Sequence, residues 1–251
     1  MPDDHRFEEK FISQEAERRI SEKLDDAEKI EIDVQTDLLK IVQGQVDGVS
    51  VAGLGLVIQE GIRVQEIKLQ TDTIDINPLS ALFGQIELNQ PVNAIGRIVV
   101  TEVDINHALT SNFVRSWMQK FELNVDGEIV SFEPQKIQVF LPGEGKIECR
   151  GKVLLKEMGN TRPFAYTALL RPRTSSQPAM LESFNCTEGE GISIELVTAL
   201  MQKAKELMNL PYLKWEDMAF SIKDIKVETG SLVLLVETQM KQIPSLEILS
   251  P

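Results

Sequence analysis

Histidine and cysteine are almost missing from this chain of 251 residues, which has two of each. Cys149 and Cys186 lie far apart, so they supply neither a disulfide framework nor the paired spacing of a zinc site. His5 and His107 stand at no recognisable distance from a Cys, Ser or carboxylate. No catalytic triad or metal set is spelled out, and His107 reads as a structural or surface residue. The sequence also lacks a P-loop, a dinucleotide fingerprint and a zinc-protease motif, and it implies no cofactor. Long apolar runs are absent: "LVLLV" from Leu232 falls far short of the roughly 20 residues that span a bilayer. Excess basic charge is absent too. A net charge of −13 opposes phosphate polymers and excludes non-specific nucleic-acid binding. The start, "MPDDHRFEEKFISQEAERR", has no apolar centre followed by a cleavage site, so a cytoplasmic location is expected.

What is present is an ordinary globular composition, 42% hydrophobic and 26% charged, long enough for one sizeable core. Residues 7 to 29 carry Phe7, Phe11, Ile20 and Leu24 among Glu, Lys and Arg, which predicts a helix docked by a narrow apolar stripe. The expected organisation is this N-terminal helix in 1–29, a single domain in 30–242 and a tail in 243–251. From Ile30 the period becomes two, as in a strand with one wet face. That strand leads into a phrase written twice: "TDLLKIVQGQVDGV" from Thr36 and "INPLSALFGQIELN" from Ile76. With Asp37 over Asn77, Leu39 falls over Leu79 and Gly44 over Gly84, without a gap.

Each copy reads as strand, short helix and returning strand. Asp37 and Asn77 are N-cap residues, Pro78 suits a first helical position, and the glycines provide a left-handed stop. Leu39 and Leu79 are expected to hold the short helices down on the sheet. The repeat is architectural and offers no acid, base or nucleophile.

Strands are predicted over 62–76 and 91–100. Leu109, Phe113, Trp117 and Phe121 then recur every four residues, a broad helical face that Ser111 and Asn112 divide. Residues 128 to 188 read as a meander. In its clearest strand, from Lys146, Ile147, Cys149, Gly151, Val153 and Leu155 share one face. Strands of this length predict a curved, strongly twisted sheet. "NVDGE" from Asn124 reads as a turn rather than a calcium loop. A helix over 192–208 places Leu196, Leu200, Met201 and Met208 on one side, and a hairpin through Thr229 and Gly230 closes the chain. The apolar helical faces fit two readings: the walls of an elongated cavity, or a dry core.

The repeat with its flanking strands ("IEIDVQTDLLKIVQGQVDGVSVAGLGL", then "IRVQEIKLQTDTIDINPLSALFGQIEL"), the "VTEVDINHALTS" helix start and the "IKVETGSLVLLVETQ" hairpin resemble the LmeA-like phospholipid-binding family, from about Phe7 to Gln242. That resemblance implies an α+β, TULIP-like fold: a long, strongly curved, mainly antiparallel sheet wrapped round amphipathic helices. It further implies non-enzymatic binding or transfer of a phospholipid or glycolipid in an apolar groove, with peripheral contact at an internal membrane face. Leu109, Phe113, Trp117, Phe121, Leu196, Leu200, Met201 and Met208 are the groove candidates, and Arg162, Arg171 and Arg173 the head-group candidates. The competing expectation is an adaptor with a packed core and a protein partner of unknown kind. An enzyme on lipid-linked sugars is a third reading, for which the sequence shows no acid–base cluster.

Overall fold

The structure is a computed structural model, described over residues 3–22, 24–58, 61–77, 87–118, 122–125, 127–157, 160–174, 176–188, 193–208, 213–215 and 218–240. Five helices are described: α1 (Asp3–Ser21), α2 (Leu38–Val42), α3 (Glu102–Ala108), α4 (Asn112–Met118) and α5 (Ile194–Met208). The strands run β1 (Lys29–Gln35), β2 (Gln45–Val46), β3 (Gly48–Ile58), β4 (Ile62–Thr71), β5 (Ile74–Asp75), β6 (Val92–Thr101), β7 (Glu122–Val125), β8 (Glu128–Gly143), β9 (Lys146–Glu157), β10 (Asn160–Arg171), β11 (Met180–Glu188), β12 (Leu213–Trp215), β13 (Met218–Glu228) and β14 (Ser231–Met240). They form a large sheet in the order β1-β3-β4-β6-β14-β13-β12, a five-stranded meander β11-β10-β9-β8-β7, and the small pair β2-β5. Every ladder is antiparallel. The result is a curled half-barrel of mostly antiparallel sheet with few helices: the long strands predict its curvature, and it is consistent with the α+β, TULIP-like fold that the family resemblance implies.

The first copy of the repeated phrase folds as its chemistry requires. Asp37 accepts from the Lys40 N–H at 2.9 Å, and Gly44 at φ 79° ends α2 in the left-handed region. The loop closes on itself where the Asp47 N–H donates to the Gln35 carbonyl. The role expected of Leu39 is not observed: its side chain is 69% exposed, and the half-buried Ile41 faces the protein instead. With only five residues, α2 can turn one narrow side inward, and the cap geometry gives that side to Ile41. Pro78, Leu79 and Gly84 lie outside the described residues.

The N-terminal helix docks with polar contacts where the expected stripe is only partly in place: Ile20 and Leu24 are half-buried, and the side chain of Phe7 lies outside the described residues. Phe11 is 72% exposed, and α1 instead lies along the open edge of β1 with three polar side chains aimed at it. Glu17 accepts from the Ile32 N–H at 2.9 Å, Ser13 from Val34 at 3.1 Å and Glu9 from Thr36 at 3.5 Å. Helix positions four apart therefore meet strand positions two apart, and edge donors that no strand pairs are satisfied.

The second open edge is treated in the same way. β7 pairs with β8 only from Glu128 to Ser131, and farther along β8 the helix α3 takes its place. The Asn106 carboxamide accepts from the Val139 N–H at 2.8 Å and donates to the Val139 carbonyl at 2.6 Å, as a neighbouring peptide group would. Glu102 accepts from the Leu141 N–H at 2.7 Å, and Gly230 at the tip of the β13–β14 hairpin donates to the Leu141 carbonyl. This junction joins the two sheets around the buried Leu141. The expected break in the 101–121 helix is present: α3 stops at Ala108, and Ser111 accepts from the Val114 N–H at the start of α4.

Replacing Ser13 with Ala leaves the buried Val34 N–H without an acceptor, an expected cost of about 1–2 kcal/mol in urea unfolding. Phe11→Ala should change stability by less than about 0.5 kcal/mol. Equal losses in the two variants would refute polar edge-capping as the way α1 is held.

Candidate functional site

Cross-strand neighbours share a face, so the ladders define what each side of the large sheet presents. One row crosses six strands as Ile32, Val51, Leu69, Gly96, Val236 and Ile222. The next runs Ile30, Gly53, Ile67, Ile98, Leu234 and Ile225. Every side chain in both rows is apolar. Burial along them is uneven: Ile32, Gly53 and Val236 are buried, while Leu69, Ile67 and Ile98 on the central β4 and β6 keep part of their surface exposed. No described residue of β4 is buried. A fully sealed core would bury its central strand, so the face is incompletely covered at β4, although Val92 and Ala94 farther along the same face of β6 are buried.

The opposite face is charged and satisfied. Its rows carry Glu31, Ala52, Lys68, Arg97 and Leu235, then Asp33, Ser50, Gln70, Ile95 and Glu237. An open groove of about 910 Å³ is lined by these rows together with Ile32, Val51, Leu69, Gly96 and Val236 of the row between them. Lys68 and Arg97 both reach Glu66 at 2.8 Å, and Lys223 reaches Glu237 at 2.7 Å. The Lys68 hydrogen bond, followed by the nearby Arg97 charge, holds the Glu66 carboxyl below its ordinary range. Cations already held by carboxylates leave little for an anionic ligand. The groove is better explained as the saddle of a twisted sheet than as the principal site.

The five-stranded sheet has a dense core under α5. Leu123, Val130, Phe132, Val153, Leu155, Phe164 and Leu196 are buried together, with Leu200 packed against them. Ser193 caps α5 by accepting from the Leu196 N–H, which fixes the turn that drives Leu196 inward. Beyond this core the same face continues through Gly151, Cys149, Tyr166 and Phe184. Tyr166 stacks on Phe184 with ring centroids 5.4 Å apart. It lies over Gly151, where an added Cβ would come within 2.3 Å of the ring. Burial, with a further push from Glu148, raises the Cys149 thiol to about 11. Burial also raises the Tyr166 phenol to about 12, helped by Cys149.

The residues singled out in the sequence fall into separate places. Leu196 and Leu200 belong to the five-stranded core, whereas Met201 on the same helix is exposed. Leu109 is half-buried just after α3. Phe113 and Trp117 lie on α4 and Met208 on α5, with side chains outside the described set, as is the whole of Phe121. Arg171 is held by Glu182 at 2.6 Å, Arg162 is half-buried opposite Leu155, and Arg173 is exposed just past β10. His107 is exposed, with its Nδ1 3.2 Å from the Gly61 carbonyl, which ties α3 to the start of β4. Sequence reasoning placed the apolar site on helices and missed the partly exposed rows of the large sheet. The readable signal was there: Ile67 with Leu69 and Leu232 with Leu234 alternate as a strand interior should. Whether anything seals such a face is a tertiary property.

At pH 8 iodoacetamide should modify the exposed Cys186 at least about 100-fold faster than Cys149, whose thiol stays protonated. The folded state holds the Cys149 proton more tightly than the unfolded chain does. Its stabilisation is therefore complete below about pH 9 and is lost as the pH rises to about 11. Urea midpoints of wild type and Cys149→Ala should converge over that window, with peptide mapping following the alkylation. Comparable labelling of both thiols would contradict the burial of Cys149.

No helix among the described residues is long and apolar enough to cross a membrane. Neither the curated proteins nor the solved structures contain a match to this chain. The family model for LmeA-like phospholipid-binding proteins matches residues 4–237, from the edge-capping α1 through both sheets and into β14. The partly exposed apolar rows thus lie within a matched fold, and the chain belongs to the LmeA-like phospholipid-binding family.

Proposed function

We propose that the protein binds a phospholipid or glycolipid without chemical change and carries it to or from a membrane it touches peripherally. The acyl chains lie along the apolar rows of the large sheet, between the sheet and the helices. The observation that carries this reading is the incomplete burial of Leu69, Ile67 and Ile98 at the centre of a seven-stranded sheet. Six strands spaced about 4.8 Å apart give a row roughly 24 Å long, enough for one extended acyl chain. Each methylene removed from water contributes about 0.8 kcal/mol before ordering costs. In this reading Leu109, Phe113, Trp117, Phe121, Leu200, Met201 and Met208 are the helical residues assigned to the acyl chains. Leu196 supports Leu200 from within the core. Arg162, Arg171 and Arg173 are the head-group contacts, and Arg173 is the one the fold leaves most accessible.

The adaptor reading draws on a specific observation as well. Leu196 is fully buried by protein, so at the five-stranded sheet the apolar helix face fills a dry core. The two readings diverge at the large sheet. Native mass spectrometry of gently purified protein, with lipid extraction from the same sample, should show a stoichiometric phospholipid or glycolipid. Leu69→Asp and Ile98→Asp should each abolish loading while the far-ultraviolet circular dichroism stays that of the wild type. A clean apo mass after incubation with mixed liposomes would remove the lipid reading and favour the adaptor.

A further inference from the structure

α2 has an apolar side that the fold does not use. Leu39 and Val42 are three residues apart on one face of this helix, and they are 69% and 77% exposed. The exposure is built rather than frayed. Asp37 caps the start, Gly44 fixes the end, and Lys40 pairs with Asp47 in the bend between β2 and β3. The duplicated phrase adds an independent observation. In the sequence Leu79 stands where Leu39 stands, and Leu82 where Val42 stands. A repeat kept only to turn the chain needs apolar residues at inward positions such as Ile41. The second copy carries leucines in the sequence at the positions aligned with the exposed Leu39 and Val42.

The two copies meet at one end of the molecule. The Ile76 N–H donates to the Gly44 carbonyl at 2.7 Å, and β2 pairs with β5. This is the end of the large sheet remote from the β13–β14 hairpin tip, and so it continues the sheet that carries the partly exposed apolar rows.

We propose that this end docks on the surface of a phospholipid bilayer, with Leu39 and Val42 entering the interfacial zone. The proposal rests on the lipid-binding reading above. A lipid surface fits better than a protein partner for two reasons. A five-residue helix presents far less than the roughly 800 Å² per partner of a stable protein interface, whereas a bilayer accepts a few apolar side chains from a small tip. The tip's cation is also already neutralised, since Lys40 lies against both Asp47 and Asp37, so the tip offers a charged groove nothing to match.

The test is flotation of the full chain with phosphatidylcholine vesicles, comparing wild type with the pair Leu39→Asp and Val42→Asp. In parallel, both proteins are offered a short-chain phosphatidylcholine below its micelle concentration, which can load without docking. Wild type should float, and the pair should lose about tenfold or more of its vesicle-bound fraction while loading the soluble lipid equally. The conservative pair Leu39→Ile and Val42→Leu should float as wild type does, separating loss of apolarity from loss of fold. Equal flotation of the Asp pair, or no flotation of wild type, overturns the docking surface. So does a concentration-dependent dimer that the Asp pair abolishes without changing flotation, because it gives the patch to a second copy. Tip-dependent flotation with no uptake of soluble lipid supports docking and counts against the groove.

Discussion

Antiparallel sheet is cheap to extend and costly to stop, because its last strand leaves a row of donors and acceptors without partners. Much of this structure follows from how that row is satisfied. At β1 the partners are Glu9, Ser13 and Glu17 of a helix, and at β8 they are Asn106, Glu102 and the backbone of a hairpin tip. Polar side chains standing in for missing strands let both sheets end without folding back on themselves. A sheet that ends this way can curl and stay open on one face, which a closed barrel cannot do.

Openness has an energetic consequence for the apolar rows. Partly exposed Leu69, Ile67 and Ile98 give the apo fold only part of the stabilisation their size allows, and the remainder is available to whatever covers them. The dense core under α5 offsets this deficit. Leu196, Phe164 and Leu155 are sealed by protein alone and hold the five-stranded sheet regardless of what occupies the rest. The molecule therefore combines a finished core with an unfinished face, a division of labour that suits a lipid-binding family.

Features governed by nearest neighbours along the chain were legible in the sequence. Period-two apolarity marked β9 and the β13–β14 hairpin, Asp37 and Gly44 marked the ends of α2, and Ser111 marked the break between α3 and α4. The asparagine of "NVDGE" does form a turn, accepting from the Gly127 N–H at 2.8 Å. Features that depend on what lies across space were not legible. Leu39 looked like an anchor because most leucines are buried, but which side of a five-residue helix faces the protein is decided by what packs against it from elsewhere in the chain. The docking of α1 was hidden for the opposite reason. Ser13 and the two glutamates look like surface residues until the strand edge they serve is known. The partly exposed sheet rows could be read as apolar, but not as unsealed.

The contact between α1 and β1 also sets a length. Four helical residues advance about 6.0 Å and two strand residues about 6.8 Å, so the two scales slide past one another like a vernier. The slide is visible: the bonds lengthen from 2.9 Å at Ile32 to 3.1 Å at Val34 and 3.5 Å at Thr36. A fourth bond in the same direction would be out of reach. In that direction a straight helix stops serving donors just where the strand stops needing them: Ile32 and Val34 lie in β1, and Thr36 is the residue after its end. Any relative with a longer first strand must bend its helix, add a second one, or leave the extra edge open to another chain.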